Sequence, residues 1–373
     1  MSRNAPQIAA SFRTSPANVT LLAASFFLLL LNADSARPDT TNSALPSPRV
    51  CIVHDDHASE AFKPDIARVR TMFDAGLRRL TGRTNTTEAW GTLVSAKDVV
   101  GIKVFSGPGA DAGTRPAVVE AVVGSLIDAR IAPSNILIWD RQRADLRKAG
   151  FMELAARLGV RADGSAELGF DSQTHYAPER PVPGLLVFGD VEFGNKGEGV
   201  GRRSHVSRLL TDGITKIISV TPMLNHNTVG TSGHLYSLAQ GSMDNFIRFE
   251  NDLAKLATAV PEIYALPPIA DKSILHITDA LITQYHGESQ GLLHYAVMMN
   301  ELRFSKDPVA LDLLSLRDLE RIRQAARSPL PRENAYTNQV ELLLNAALLE
   351  LGTAELNQIK TEHLSLSSTN GGN

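Results

Sequence analysis

Short apolar runs recur along this chain, and the stretches between them carry helical periodicity. The runs are residues 49–53, 98–105, 135–139, 216–221 and 273–278. They are rich in Val, Ile and Leu with little polar alternation, as expected of strands buried on both faces. Behind Pro64, the positions Ile66, Val69, Phe73, Leu77 and Leu80 recur at helical spacing. Further helices are expected over 116–129, 146–158, 245–259, 309–325 and 339–349. A strand reaches a parallel neighbour only through a crossover, usually a helix. The alternation therefore predicts an α/β fold: a doubly wound, mostly parallel sheet with helices on both faces. Residues 160–205 break the rhythm with Gly, Pro and charge, and are expected as an irregular insertion (a hairpin or long loops) in a single large domain over 49–350.

The two ends differ from this body. Residues 1–18 carry Arg3 and Arg13 and no acid, and 19–31 is an uncharged run dominated by Leu, Ala and Phe. That run is shorter than the about 20 residues a spanning helix needs, but it suits a signal peptide. Ala33-Asp34-Ser35 offers small residues for cleavage. The expectation is a signal peptide over 1–35, a disordered Pro/Ser/Thr-rich spacer over 36–48, and export to the periplasm or cell envelope. No stable membrane span is expected in the mature chain. Residues 351–373 are polar and are expected as a flexible tail.

Composition removes several function classes. The net charge is -3, from 37 basic and 40 acidic residues, without the basic excess that neutralises phosphates in a nucleic-acid binder. Aromatic residues are only 6%, too few for base-stacking platforms. One cysteine, Cys51, forms no internal disulfide and supports no cysteine-ligated iron–sulfur cluster. It lies inside the first apolar run and is expected to be a core residue.

In open α/β sheets ligands bind outside the carboxyl ends of the strands. The polar residues expected there are His54-Asp55-Asp56-His57 after the first strand and Lys103 and Arg115 around the second. Asp140 and Arg141 follow the third, His226, Asn227, His234 and Tyr236 the fourth, and Asp279, Tyr285 and His286 the fifth. Three readings follow. In the first, His226, Asn227, His234 and Asp140 serve an acid–base or metal-assisted enzyme, with His226 and His234 ligating a divalent metal. In the second, Lys103, Arg115, Arg141 and Asp279 hold a small anionic molecule without catalysis. The third is a scaffold in the envelope, since G-x-S-x-G, H-E-x-x-H and a catalytic cysteine context are missing.

Several short segments add a resemblance. They are Glu88-Ala89-Trp90, residues 98–103, Thr114-Arg115-Pro116, residues 136–141, Leu224-Asn225-His226-Asn227, Asp279-Ala280-Leu281 and residues 305–312. On these, from about 49 to 325, the chain resembles the domain-of-unknown-function family 362, in its exported, cysteine-poor branch. Some relatives carry ferredoxin-type cysteine modules, and this chain does not. Relatives usually place a Lys-Asn pair after the fourth-strand histidine; the matching positions here are Tyr236-Ser237, while Lys103 and Asp140-Arg141 are kept. The resemblance implies no particular reaction. Asp111-Ala112-Gly113-Thr114-Arg115-Pro116 is also similar to an element of lactate racemases, enzymes that pair a nickel-pincer nucleotide with histidine acid–base residues. Without a matching histidine pair, it implies only an anionic ligand near Arg115.

Overall fold

The structure is a computed structural model, and it describes residues 48–250, 252–328 and 336–366. The expected signal peptide and all of the expected spacer except Pro48 lie outside the described residues.

The chain enters through β1 (Arg49–His54), crosses a short hairpin of β2 (Ser59–Glu60) and β3 (Lys63–Pro64), and turns into α1 (Ile66–Thr81). Pro64 ends β3 and does not open the helix; Asp65 caps α1, its carboxylate accepting the Arg68 N–H at 3.0 Å. Next come α2 (Thr86–Gly91), β4 (Val100–Val104), α3 (Pro116–Asp128) and β5 (Ile136–Asp140). The helix expected over 146–158 is two, α4 (Arg143–Lys148) and α5 (Phe151–Leu158). Gly150 separates them at φ 83°, a left-handed conformation that interrupts the helical ladder. The irregular stretch holds β6 (Arg161–Gly164), α6 (Ser165–Leu168), β7 (Phe170–Tyr176) and β8 (Ser204–Ser207). β7 and β8 pair antiparallel as a separate ribbon, with a long excursion between them.

β9 (Lys216–His226) runs past Pro222, where the sequence suggested a stop, and folds back as β10 (Gly230–Thr231). Then follow α7 (His234–Ser242), α8 (Leu253–Tyr264), α9 (Pro267–Ala270), β11 (Ser273–Gln284) and β12 (Ala296–Ser305). The chain closes with α10 (Pro308–Ala325), α11 (Tyr336–Gln339), α12 (Glu341–Leu348) and β13 (Lys360–Ser365). The tail expected over 351–373 is corrected within its described residues, and 367–373 lie outside them: β13 pairs parallel with β1 along its length, and its polar sequence reflects an edge strand half in solvent.

The main sheet has the order β13-β1-β12-β11-β9-β4-β5-β6, with β10 on β9. From β6 to β11 all neighbours are parallel; β12 is antiparallel to both β11 and β1. Helices cover both faces. On one, Phe73, Trp90, Val122 and Leu126 pack over Ile102, Ile138, Val220 and Phe304. On the other, Leu238, Val260 and Leu311 pack over Trp139 and Ile217. Truncating a fully buried aromatic such as Phe73 or Trp90 to Ala costs about 3–5 kcal/mol, and a buried Leu or Ile about 2–5 kcal/mol. No described helix is long and apolar enough to cross a membrane.

Candidate functional site

The parallel strands β4 and β5 end level with each other, β9 runs on past them to His226, and α7 crosses the same face behind them. Lys103 on β4 lies at the centre, fully buried, in register with Trp139 on one side and Ser219 on the other. Its ammonium donates to the Val104 carbonyl (2.6 Å), Asp140 Oδ1 (2.8 Å) and Ser237 Oγ (3.0 Å), which uses all three of its protons. Asp140 is equally occupied. Its Oδ1 also accepts the Arg141 N–H (2.8 Å), and its Oδ2 accepts the Ser106 N–H (2.7 Å) and hydroxyl (2.6 Å). Burial pushes the Lys103 ammonium below its ordinary value, and Asp140 opposes that shift. α7 presses on this pair through Gly241, where any Cβ would overlap Lys103 Cε.

Arg115 and Asp279 form a second closed pair. Asp279 Oδ2 accepts the Arg115 N–H (3.0 Å) and Nη1 (3.2 Å), while Arg115 Nη2 donates to the carbonyls of Asp111 and Ile282. Both residues are buried, so Arg115 holds the α3 start to β11 and is not presented to a ligand, contrary to the expectation from sequence.

The two histidines do not form a metal pair. His234 is fully buried at the start of α7; its Nδ1 lies 2.8 Å from Ser219 Oγ and its Nε2 3.1 Å from Thr278 Oγ1. Asp312 on α10 accepts the His234 and Leu235 N–H groups at 2.8 and 3.0 Å, anchoring the helix end. Burial, with His276 beside it, drives the His234 imidazole well below its usual range. His226 stands at the end of β9, and its Nδ1 faces the backbone N–H groups of Thr228 and Val229 (3.2 and 3.4 Å). Those donors require an Nδ1 lone pair, so the neutral ring carries its proton on Nε2 and offers a donor, not a metal ligand. Burial lowers its pKa to about 4, which keeps it neutral at physiological pH. Among the described residues, no group of three or more His, Cys, Asp or Glu is placed to hold a metal ion. Asn227 is structural too: its N–H donates to Glu288 Oε1 (2.6 Å) and its carbonyl accepts from Gln339 Nε2 (3.2 Å). His54 ends β1, and the turn that follows it over 55–57 holds Asp55 paired with Arg68 at 3.1 Å.

Arg141 is the exception. It is half-buried, and its Nη1 donates to the Gln240 and Met243 carbonyls at 3.1 and 2.8 Å. Among the described residues it makes no ion pair, although Asp190, Asp244 and Glu250 lie near enough to support its charge against burial. Beside it, the Tyr236 hydroxyl donates to Glu250 Oε1 at 2.8 Å, and the Tyr236 ring packs 4.5 Å from that of His226. Burial raises both the Tyr236 hydroxyl and the Glu250 carboxyl, so Glu250 exchanges its proton closer to neutral pH than a free carboxylate does. The excursion between β7 and β8 is pinned alongside, Val191 N–H to Asp244 Oδ2 (2.9 Å) and Asn245 N–H to Asp190 Oδ1 (3.2 Å).

The expected residues therefore divide. Lys103, Asp140, Arg115, Asp279, His234 and Asn227 are spent inside the fold; Arg141 and His226 stand at the rim. Ser106, Ser237, Glu250 and Glu288 complete the arrangement and were not singled out from sequence. For Ser237 a signal existed: with Tyr236 it occupies the positions where the resembling family places Lys-Asn.

No family model and no curated protein matches the chain. Among solved structures, a structural-genomics target from Thermotoga maritima is similar at 14% identity and a TM-score of 0.37, covering 72% of this chain. This chain spans 60% of that structure's length.

Proposed function

We propose that this is an exported protein that binds a small anionic molecule at the carboxyl edge of β4, β5 and β9 and transfers a proton on it. The observation that carries the proposal is the guanidinium of Arg141, which makes no ion pair among the described residues, whereas the buried cations Lys103 and Arg115 are each paired with a carboxylate. Lys103 has Asp140 and Arg115 has Asp279, whereas Arg141 meets only carbonyl oxygens. An arginine keeps its charge at any working pH, and its planar fork suits a carboxylate or phosphate. In this reading Arg141 holds the anion and His226 donates from Nε2. The Tyr236–Glu250 pair gives or takes the proton, and Lys103–Asp140 is the floor that fixes the Arg141 backbone. Membership of family 362 belongs to the same proposal, since its retained residues Lys103, Asp140 and Arg141 build that floor and supply the cation.

Native mass spectrometry of protein purified from its own source without dialysis tests this. The expected result is a retained small anion that is lost in Arg141→Gln. Retention of the same molecule in the folded Arg141→Gln variant would contradict the assignment. N-terminal sequencing of the same preparation checks export, which requires a start near residue 36 and not Met1.

A further inference from the structure

On the antiparallel half of the sheet a cavity of about 430 Å³ opens where α10 lies over β1, β12 and β13. Arg303 of β12 lines it and is only 2% exposed. Its Nε and Nη2 donate to Glu301 Oε2 at 2.9 and 2.7 Å, and Nη2 lies 2.8 Å from Asp318 Oδ2. Its Nη1 is buried and has no partner. A buried guanidinium nitrogen is a strong donor that native structures rarely leave bare. Arg317 and Arg321 also line the cavity and reach the same Asp318 carboxylate from the solvent side, at 3.7 and 3.5 Å. Three guanidiniums thus share the two carboxylates of Glu301 and Asp318, and His363 adds a further nitrogen base to the wall. The wall is short of negative charge, and its deepest cation keeps one buried nitrogen without a partner.

We propose that this cavity binds a small organic molecule through its oxyanion, a phosphate or carboxylate, which Arg317 and Arg321 flank from the solvent side and the Arg303 guanidinium supports from beneath. Arginine forks match such groups in shape as well as charge. The space falls within the roughly 300–1,000 Å³ of small-molecule sites. An inorganic ion would fill little of it, and Ile52, Leu314, Leu356 and Ile359 offer apolar surface for the remainder of the ligand. This site is independent of the Arg141 reading, because it shares no residue with it.

The test is calorimetric titration of the full chain in the Arg141→Gln background, which silences the first site, at fixed ionic strength. Phenyl phosphate and benzoate are the organic probes and inorganic phosphate the control. One organic probe should bind once per chain and more tightly than inorganic phosphate, and which of the two does so identifies the oxyanion. In Arg317→Ala/Arg321→Ala, whose side chains are 51% and 69% exposed and whose loss leaves the core intact, affinity should fall about tenfold, the scale of one or two charge-assisted contacts. Arg303→Met should abolish binding; where that variant fails to fold, the exposed double variant decides. No binding of either organic probe in the millimolar range, or unchanged affinity in the folded double variant, would overturn the proposal.

Discussion

In the parallel half of the sheet, buried cations meet carboxylates and their remaining donors meet backbone or hydroxyl oxygens, as Lys103 does with Asp140 and Arg115 with Asp279. In the antiparallel half, Arg303 meets two carboxylates and still leaves Nη1 bare beside a cavity. Between these extremes stands Arg141, at the rim of the parallel half with carbonyl partners only. The contrast separates charges that build the fold from charges left over for a partner. A closed pair repays part of its own desolvation and has nothing to give a ligand. An open guanidinium has donors to spare.

That contrast is breakable, starting with the largest effect. Asp140→Ala strands the Lys103 ammonium in a fully buried position and should cost about 3–5 kcal/mol in denaturant unfolding. Arg141→Gln loses only carbonyl contacts and should cost no more than about 1–2 kcal/mol. Equal costs would erase the distinction. Truncation after Gln358 removes the edge partner of β1 and the packing of Ile359, Leu364 and Leu366. A loss of about 2–4 kcal/mol is expected from that apolar burial. Cys51, 3% exposed with its thiol pushed up to about 11 by burial, should then react with a thiol reagent that leaves the intact protein untouched. Gly241→Ala, which forces a methyl into Lys103, should destabilise by about 1–3 kcal/mol.

The smallest expected effect is a pH slope. Burial holds His226 and His276 down at about 4 and His234 well below its usual value, so the folded chain binds fewer protons than the unfolded chain below pH 6.5. Stability from these three groups is complete above pH 6.5 and drains away as pH falls toward 4. Asp312, raised to about 7 by burial, acts the other way: the folded state binds its proton more tightly, and that contribution fades as pH rises from about 4 to 7. Asp145, Glu250 and Asp307, also raised by burial, act with Asp312, so the comparison between proteins is the test: in Asp312→Asn the melting temperature should rise more from pH 4 to 6.5 than in the parent. A flat profile in both proteins would show that these buried groups titrate as if exposed.

How much of this was legible in the sequence follows from the same two halves. β4, β5, β9 and β11 are buried on both faces, so their apolar runs stand out. β12 carries Asn300, Glu301 and Arg303 among its residues because its other neighbours include charged α10 side chains, and nothing in its pattern announced a strand. β13 alternates Lys, Thr, Glu and His at a half-wet edge and resembled a tail. At the site, the strand ends bring Lys103, Asp140 and Arg141 side by side. Which charges were already neutralised was not legible, because Asp140 and Asp279 stand 37 and 164 residues from Lys103 and Arg115 and only the fold pairs them.

The most direct test of the central claim is a crystal structure of the protein purified from its own source with its bound molecule retained. Electron density for an anionic group within about 2.7–3.2 Å of Arg141, with the Lys103–Asp140 pair intact, is the predicted result. Density seated on Lys103 with that pair broken, or a metal ion held by His226 and His234, would contradict it.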